Sequence, residues 1–300
     1  MTKDYLAIDV GGTRLKVGLI DRSGNIIEKF SERTNTAGLE AFLGQLRDVI
    51  GRYDGKIRGV GFSLPGKLAH PDDTIKGGGS LTFMDGVNLR DKLALDIPIA
   101  VENDGKAAAL AELWLGQLKD VQDGMAIVLG TGVGGGLVLN GNLVYGTHFQ
   151  AGELSFIFNQ LEKGMDTSIG LNGSAVEMIK RIGTELKLPE IDDGLAVFEY
   201  INAGNPVAVD IFDAYAAEIA LLIQNIQAIV DVQRIVIGGG ISAQPIVAER
   251  IRDQYMTFFE ENEVVAGTLT PVEIVAGQFA NDANLFGAIY HLLMELNQEV

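Results

Sequence analysis

The run YLAIDV at residues 5–10 is apolar except for Asp9, as expected of a strand buried on both faces. Gly11-Gly12-Thr13 breaks the run, and in residues 14–20 (RLKVGLI) Leu15, Val17 and Leu19 share one face. The pair predicts a hairpin. The period then lengthens: Leu39, Phe42, Leu43, Leu46 and Ile50 recur at helical spacing within residues 39–53. Residues 57–62 (IRGVGF) and 97–101 (IPIAV) read as further strands. Ala107, Leu110, Ala111 and Trp114 mark one face of a helix that starts at Asp104 and ends near Gly116. Residues 125–141 (MAIVLGTGVGGGLVLNG) repeat the strand, glycine turn and strand of residues 5–20. Two such units predict a duplicated α/β architecture. The second half is helix-rich. Phe212, Ile219, Leu222, Ile223 and Ile226 keep helical spacing across residues 206–230, and a short strand, RIVIG, runs into Gly238-Gly239-Gly240. The last helix runs from about Ala283 to Leu296 through Leu285, Phe286, Ile289, Leu292 and Leu293. No Pro/Ser-rich linker separates the halves, and the boundary is placed near residue 106.

A chain of 300 residues can hold two modest domains, each with its own core. The 40 acidic and 23 basic residues give a formal net charge of -17, which opposes nucleic acid and anionic membranes. Any polyanionic ligand would need backbone N–H groups, helix N-termini and a divalent cation to offset this charge. Cysteine is absent, so disulfides, thiolate zinc sites and cysteine nucleophiles are excluded. The three histidines, His70, His148 and His291, are too scattered for a metal cage. A bound metal is therefore expected to be Mg²⁺ held by carboxylate, water and phosphate. No segment has the length of a signal peptide's apolar region at the N-terminus or of a membrane span elsewhere, so a cytoplasmic location is expected.

Four segments have the residue types for chemistry. In Asp9-Val10-Gly11-Gly12-Thr13, the glycines let backbone N–H groups approach phosphate oxygens, Thr13 adds a hydroxyl, and Asp9 can hold Mg²⁺ directly or through water. A hairpin turn capped by Asp fits the same residues. Residues 130–136 (GTGVGGG) resemble a dinucleotide fingerprint in composition, but LVLNG after them reads as a strand, and no Gly-Lys-Ser/Thr follows. A phosphate-binding turn with Thr131 and Gly132 as donors survives, beside a plain glycine hairpin. Glu102-Asn103-Asp104 sits at a strand end and a helix start. Asp104 there suits either an N-cap or a general base for a hydroxyl attacking phosphorus, and the positive end of the helix favours a carboxylate. Asn103 offers both a donor and an acceptor to a neighbouring hydroxyl. Gly152-Glu153 follows the second hairpin, where Glu153 is either a solvated loop residue or a second carboxylate toward substrate.

In this order the segments resemble the ROK family of bacterial sugar kinases and repressors. The matching stretches are AIDVGGTRLKVGLID (7–21), GFSLPGKL (61–68), VENDGKAAALAELWLG (101–116), IVLGTGVGGGLVLNGNLVYG (127–146), AGELSF (151–156), IVIGGGIS (235–242) and NDANLFGAIYHLL (281–293). The resemblance implies an actin-like ATPase (ribonuclease H-like) fold, with two α/β domains around a cleft. Residues 1–106 plus a crossing helix at about 284–300 would form one domain, and residues 107–283 the other. It implies transfer of the ATP γ-phosphate to a sugar hydroxyl, commonly the 6-hydroxyl of a hexose, with Mg²⁺, in a homodimer. Asp104 falls on the family's catalytic base, and Asn103, Glu153, Pro65 and Gly66 on sugar contacts. Gly11, Gly12, Thr13, Thr131 and Gly132 fall on phosphate contacts, and Gly239 and Gly240 near the nucleoside.

Departures from the family pattern bear on the substrate. Ser80 replaces a sugar-side Asn, and Phe156 stands where many members have a His that touches both sugar and zinc. The Cys-rich zinc motif is absent, so no zinc site is expected. Gly170-Leu171-Asn172-Gly173-Ser174 occupies that region, with Glu177 near but out of step. Lys106 replaces a neutral residue beside the base and is expected to face solvent. The zinc-less pattern, with GGGS at 77–80 and Phe156, looks like the branch containing β-glucoside kinases, so a glycoside as well as a free hexose is an expected acceptor. Against the repressor members, the first strand starts by residue 5, which leaves no room for a DNA-binding domain in this sequence. A sugar-sensing protein without turnover is the alternative reading on the same fold.

Overall fold

Tyr5 to Val10 are all buried, and they form β1 (Asp4–Val10), the middle strand of a five-stranded sheet. The computed structural model describes residues 4–69 and 72–298. His70 and the outermost ends of the expected N-terminal domain lie outside the described residues. From β1 the chain runs through β2 (Arg14–Ile20), β3 (Ile26–Arg33), α1 (Leu39–Gly51), β4 (Ile57–Leu64), the small hairpin of β5 (Lys67–Ala69) and β6 (Thr74–Lys76), α2 (Leu89–Leu93), β7 (Ile99–Asn103) and α3 (Asp104–Leu115). Next come β8 (Gly124–Leu129), β9 (Val133–Leu139), β10 (Asn142–Val144), α4 (Ile169–Asn172), α5 (Ala175–Glu185), α6 (Gly194–Asn202) and α7 (Pro206–Val230). The chain finishes with β11 (Arg234–Gly238), α8 (Pro245–Glu261), α9 (Glu263–Thr268), β12 (Glu273–Ala276) and α10 (Ala283–Gln298).

The two large sheets share one plan. Their strand orders are β3-β2-β1-β4-β7 and β10-β9-β8-β11-β12. In each, an antiparallel hairpin (β1 with β2, β8 with β9) is continued by parallel strands (β4 and β7, β11 and β12). The internal repeat read from residues 5–20 and 125–141 is thus the start of each sheet. β7 begins two residues later than the sequence pattern suggested, because Pro98 has no N–H to pair and instead accepts the Val60 N–H at 2.9 Å.

The described residues fall into two compact units. The first comprises those up to Lys119, Leu143–Ala151 and from Asp282 on; the second comprises Asp120–Asn142 and Gly152–Asn281. The first division thus falls after Lys119 rather than at residue 106, because α3 packs along its whole length beside α10.

In the first unit, α1 turns Phe42, Leu43, Leu46, Val49 and Ile50 onto one face of the sheet. α10 covers β1, β4 and β7 on the other face. Glycines make that approach possible: a Cβ on Gly61 would lie 2.6 Å from the Ala288 carbonyl carbon, and one on Gly59 would lie 3.1 Å from Leu292. The second unit packs around α7, whose Phe212, Ile219 and Ile223 are fully buried with Ile127, Ile235 and Ile237 of its sheet. Among the described residues no helix is long and apolar enough to cross a membrane.

Candidate active site

In the first unit, β1 delivers Asp9 to the mouth of the glycine turn with only 7% of its surface exposed. Lys16 lies directly across the hairpin, with its Nζ 3.3 Å from Asp9 Oδ2, and Asn284 of α10 donates to Asp9 Oδ1 at 3.0 Å. Thr34 closes the turn from outside. Its hydroxyl donates to the Gly11 carbonyl at 2.7 Å and its N–H to the Thr13 carbonyl at 2.9 Å, while the Gly11 N–H donates to Arg14. A Cβ on Gly12 would collide with the Ser80 hydroxyl. Asp9, Gly11, Gly12 and Ser80 are therefore neighbours, and Thr13 is exposed beside them.

Pro65-Gly66 follows β4, with Gly66 at φ 95°. That left-handed backbone, and the 2.5 Å from a would-be Cβ to the Gly77 carbonyl, restrict the position to glycine. Asn103 ends β7 and reaches the same turn. Its Nδ2 donates to the Gly66 carbonyl at 2.9 Å and to Asp104 Oδ1 at 3.1 Å, and its Oδ1 accepts the Lys106 N–H at 3.1 Å. Asn103 is thus the N-cap of α3, which corrects the N-cap reading of Asp104. Asp104 is the first helical residue. Its Oδ1 also accepts the Gly105 N–H at 2.7 Å, and its carboxylate is exposed. Lys106 is 2% exposed, not solvated as expected, because its position on the first turn of α3 faces inward.

A charged network backs this strand end. Glu102, 0% exposed, accepts the Asn103 N–H on Oε1 at 2.7 Å and the Tyr145 hydroxyl on Oε2 at 2.6 Å. His291 of α10 places Nδ1 3.5 Å from Glu102 and Nε2 3.2 Å from Glu295. Arg90 holds Glu295 through Nη2 at 2.7 and 2.9 Å and Asp73 through Nε at 2.9 Å. Burial opposes the His291 imidazolium, but the Glu295 and Glu102 carboxylates outweigh it and hold the group above its ordinary pKa. Burial likewise opposes ionised Glu295, yet His291 and Arg90 keep its pKa below the usual carboxylate value. Burial first, and Glu102 next, push the Tyr145 hydroxyl far up, so it serves as a donor.

In the second unit, the turn at Gly130–Gly132 is closed by Gly130 N–H donating to the Gly132 carbonyl at 3.0 Å. Ser155 braces it, accepting the Val133 N–H at 2.9 Å, and a Cβ on Gly132 would lie 2.8 Å from its hydroxyl. The first N–H of α5, from Ala175, donates to the Gly130 carbonyl at 3.0 Å, and Ser174 caps that helix. Gly239, at φ 92°, packs against Leu129, so the Gly239-Gly240 turn adjoins the Gly130–Gly132 turn, on which Thr131 is exposed. Gly152-Glu153 backs onto β9 at Gly135, where a Gly152 Cβ would lie 2.5 Å from the carbonyl oxygen. Phe156, three residues on, is 64% exposed. Glu177 pairs with Lys180 at 2.8 Å on the surface. Among the described residues, no group of three or more His, Cys, Asp or Glu is placed to hold a metal ion.

These side chains, not anticipated from the sequence, support both halves: Thr34, Lys16, Asn284 and Ser155. The periodicity of the chain bears no signal for them, since Asn284 meets Asp9 across 275 positions.

The ROK family model matches residues 5–295. This chain belongs to the ROK family. The β-glucoside kinase of Listeria innocua is 30% identical, over 97% of this chain and 98% of that protein. A ROK family protein from Streptococcus pneumoniae, solved with sucrose, superposes with a TM-score of 0.85 at 26% identity, covering 98% and 99% of the two chains. A ROK family glucokinase from Streptomyces griseus, solved with glucose and AMPPNP, gives 0.81 at 25% identity, covering 95% and 97%. The repeated sheets of this ROK protein are those of the actin-like ATPase fold.

Proposed function

We propose that this ROK protein is a carbohydrate kinase that transfers the γ-phosphoryl group of ATP to the 6-hydroxyl of a hexose or β-glucoside, with Asp104 as general base. The observation that carries the reading is the Asn103–Asp104 pair at the start of α3. Asp104 is exposed, and Asn103 and Gly105 fix one of its oxygens, at 3.1 and 2.7 Å. An oriented, solvent-facing carboxylate can take the hydroxyl proton as the sugar oxygen attacks phosphorus. Asn103 uses its amide protons on Gly66 and Asp104, so toward a sugar it offers Oδ1. Pro65, Gly66, Ser80 and Glu153 complete the proposed sugar side.

The residues present fit Mg·ATP. In each glycine turn a glycine packs against a serine hydroxyl, Ser80 at Gly12 and Ser155 at Gly132, and turn backbone unobstructed by a Cβ suits a phosphate. Gly11, Gly12, Thr13, Thr131 and Gly132 would hold the phosphates, with Gly239 and Gly240 beside the nucleoside. Asp9, with Asn284 and Lys16 fixing its carboxylate, would hold Mg²⁺ directly or through water, as suits an ion that keeps most of its waters. When bound, that ion neutralises charge on the phosphate oxygens. Identity to the L. innocua β-glucoside kinase and the exposed Phe156 ring, which can stack on a sugar face or an aglycone, support a glycoside acceptor.

The test is a coupled ADP-release assay with Mg·ATP against free hexoses, cellobiose, gentiobiose, arbutin and salicin. Sugar-dependent ADP release is the expected result, and the preferred acceptor decides between hexose and glycoside. Sugar binding by thermal shift with no ADP release across the panel would overturn the kinase reading in favour of a sensor.

A further inference from the structure

We infer that Tyr145 and His291 are positioning residues for the phosphoryl transfer: they hold the Glu102 carboxylate and, through its bond to the Asn103 N–H, the strand end that carries Asn103 and Asp104. This rests on the reading of Asp104 as base.

Three observations carry it. The network is buried where burial is unfavourable: Glu102, Asp73 and His291 are 0%, 3% and 8% exposed. Taking such charges out of water opposes folding, and apolar side chains of similar volume would fill the same space without that penalty. What these groups add is direction: hydrogen bonds from Tyr145 and the Asn103 N–H orient Glu102, those from Arg90 orient Glu295 and Asp73, and His291 sits between the two glutamates as an ion-pair partner. The network also links separate pieces of chain: Tyr145 and His291 meet on Glu102, and Arg90 joins Glu295 to Asp73. β7 gives Glu102, α10 gives His291 and Glu295, α2 gives Arg90, and Tyr145 comes from Leu143–Ala151, the segment that returns to the first unit between two stretches of the second. Finally, both ends of the network adjoin proposed substrate-side residues. Glu102 Oε1 takes the backbone N–H next to Asp104, and Asp73 leads through β6 into the Gly77–Ser80 loop.

Tyr145→Phe removes a single hydroxyl. The expected result is a kcat lower by between about 5- and 100-fold, the range for a reacting group displaced by up to about 1 Å. KM for ATP should stay within about twofold, and KM for sugar should rise by less than kcat falls, since Asn103 moves with the strand end while the other proposed sugar contacts keep their own supports. His291→Gln should also lower kcat. The wild type is expected to lose kcat at alkaline pH as the imidazolium loses its proton, and His291→Gln should remove that decline. The groups around that imidazolium are Glu102, Tyr145, Glu295, Arg90 and Asp73, with Lys106 and Glu112 as the buried charges of α3, the helix packed along α10. Wild-type kcat in both variants would overturn the inference. So would a loss of activity that vanishes once rates are divided by the folded fraction measured by circular dichroism. Asp104→Asn separates the two claims: if it is inactive while Tyr145→Phe and His291→Gln turn over normally, the base stands and the positioning role falls. If Asp104→Asn keeps most of its activity, the base reading falls and the inference with it.

Discussion

Gly287 is where α10 crosses α3, and alanine there should destabilise the first unit. A Cβ at Gly287 would sit 2.8 Å from the Cα of Ala107 and would collide with its carbonyl carbon and oxygen. Ordinary Cβ contacts begin at 3.4 Å and the carbonyl oxygen is the nearest atom, so the two helices must part by more than about 1.5 Å. The obstacle is helical backbone, which cannot rotate away as a side chain can. Overpacking costs about 1–3 kcal/mol, and a rigid obstacle puts this case near the top, at about 3 kcal/mol. Alanine's better helix propensity returns about 1 kcal/mol, leaving a net loss of about 2 kcal/mol. For a unit of about 150 residues that corresponds to a melting midpoint lower by about 4–8 °C. Gly44, inside α1, is the matched control. Nothing lies within 4 Å of its would-be Cβ, so the same substitution should stabilise by about 0.5–1 kcal/mol. Thermal melts followed by circular dichroism, run side by side, test the pair. The reasoning is refuted if Gly287→Ala melts at or above the wild type, or if both variants shift the same way.

Three further outcomes are expected. His291 has a raised folded pKa, so its contribution to stability is complete below its unfolded value near 6.5 and is lost as pH rises through the folded one. Glu295 has a lowered pKa, so its contribution is complete above its unfolded value near 4.5 and is lost as pH falls through the folded one. Stability from this pair should therefore plateau between about pH 4.5 and 6.5 and decline on both sides, and His291→Gln should flatten the alkaline side of a Tm-versus-pH curve; an unchanged alkaline slope would exclude His291 as its source. Gly239→Ala meets both φ strain and the Leu129 backbone, so it should cost about 3 kcal/mol or more, read as loss of soluble protein or a much lower urea midpoint. Asp9→Asn should raise the Mg²⁺ concentration for half-maximal activity by at least about tenfold, and an unchanged Mg²⁺ titration would remove Asp9 from the metal's partners.

The fold was legible where burial follows a clean period. β1, β2, β8, β9 and α7 lie within a residue or so of their sequence readings, because most of their apolar positions are buried at a regular period and turn signals bound them. β3 was not legible: IIEKFSER places Ile26 and Phe30 four apart among exposed residues, so an edge strand looks like coil. α5, α6 and α8 fall in a stretch read only as helix-rich. Of the candidate site, the glycine turns and the Asn103–Asp104 pair are local features, visible because glycine and capping residues declare themselves in one segment. The support around them is non-local. Lys106 looked solvated because charge in a sequence suggests exposure, and only the inward face of α3 says otherwise. His291 looked scattered because its carboxylate Glu102 lies nearly 200 positions away.

The sheet of the first unit is synthesised well before α10, and one of its faces waits for that helix. β7 ends at Asn103 and α10 starts at Ala283, so roughly 180 residues, about 10–35 s of translation, separate the sheet from its cover. During that interval the glycine-lined face that will receive Ala288 and Leu292 stands open. A nascent chain therefore carries a smooth apolar groove shaped for a helix, which gives chaperones something to shield until α10 emerges.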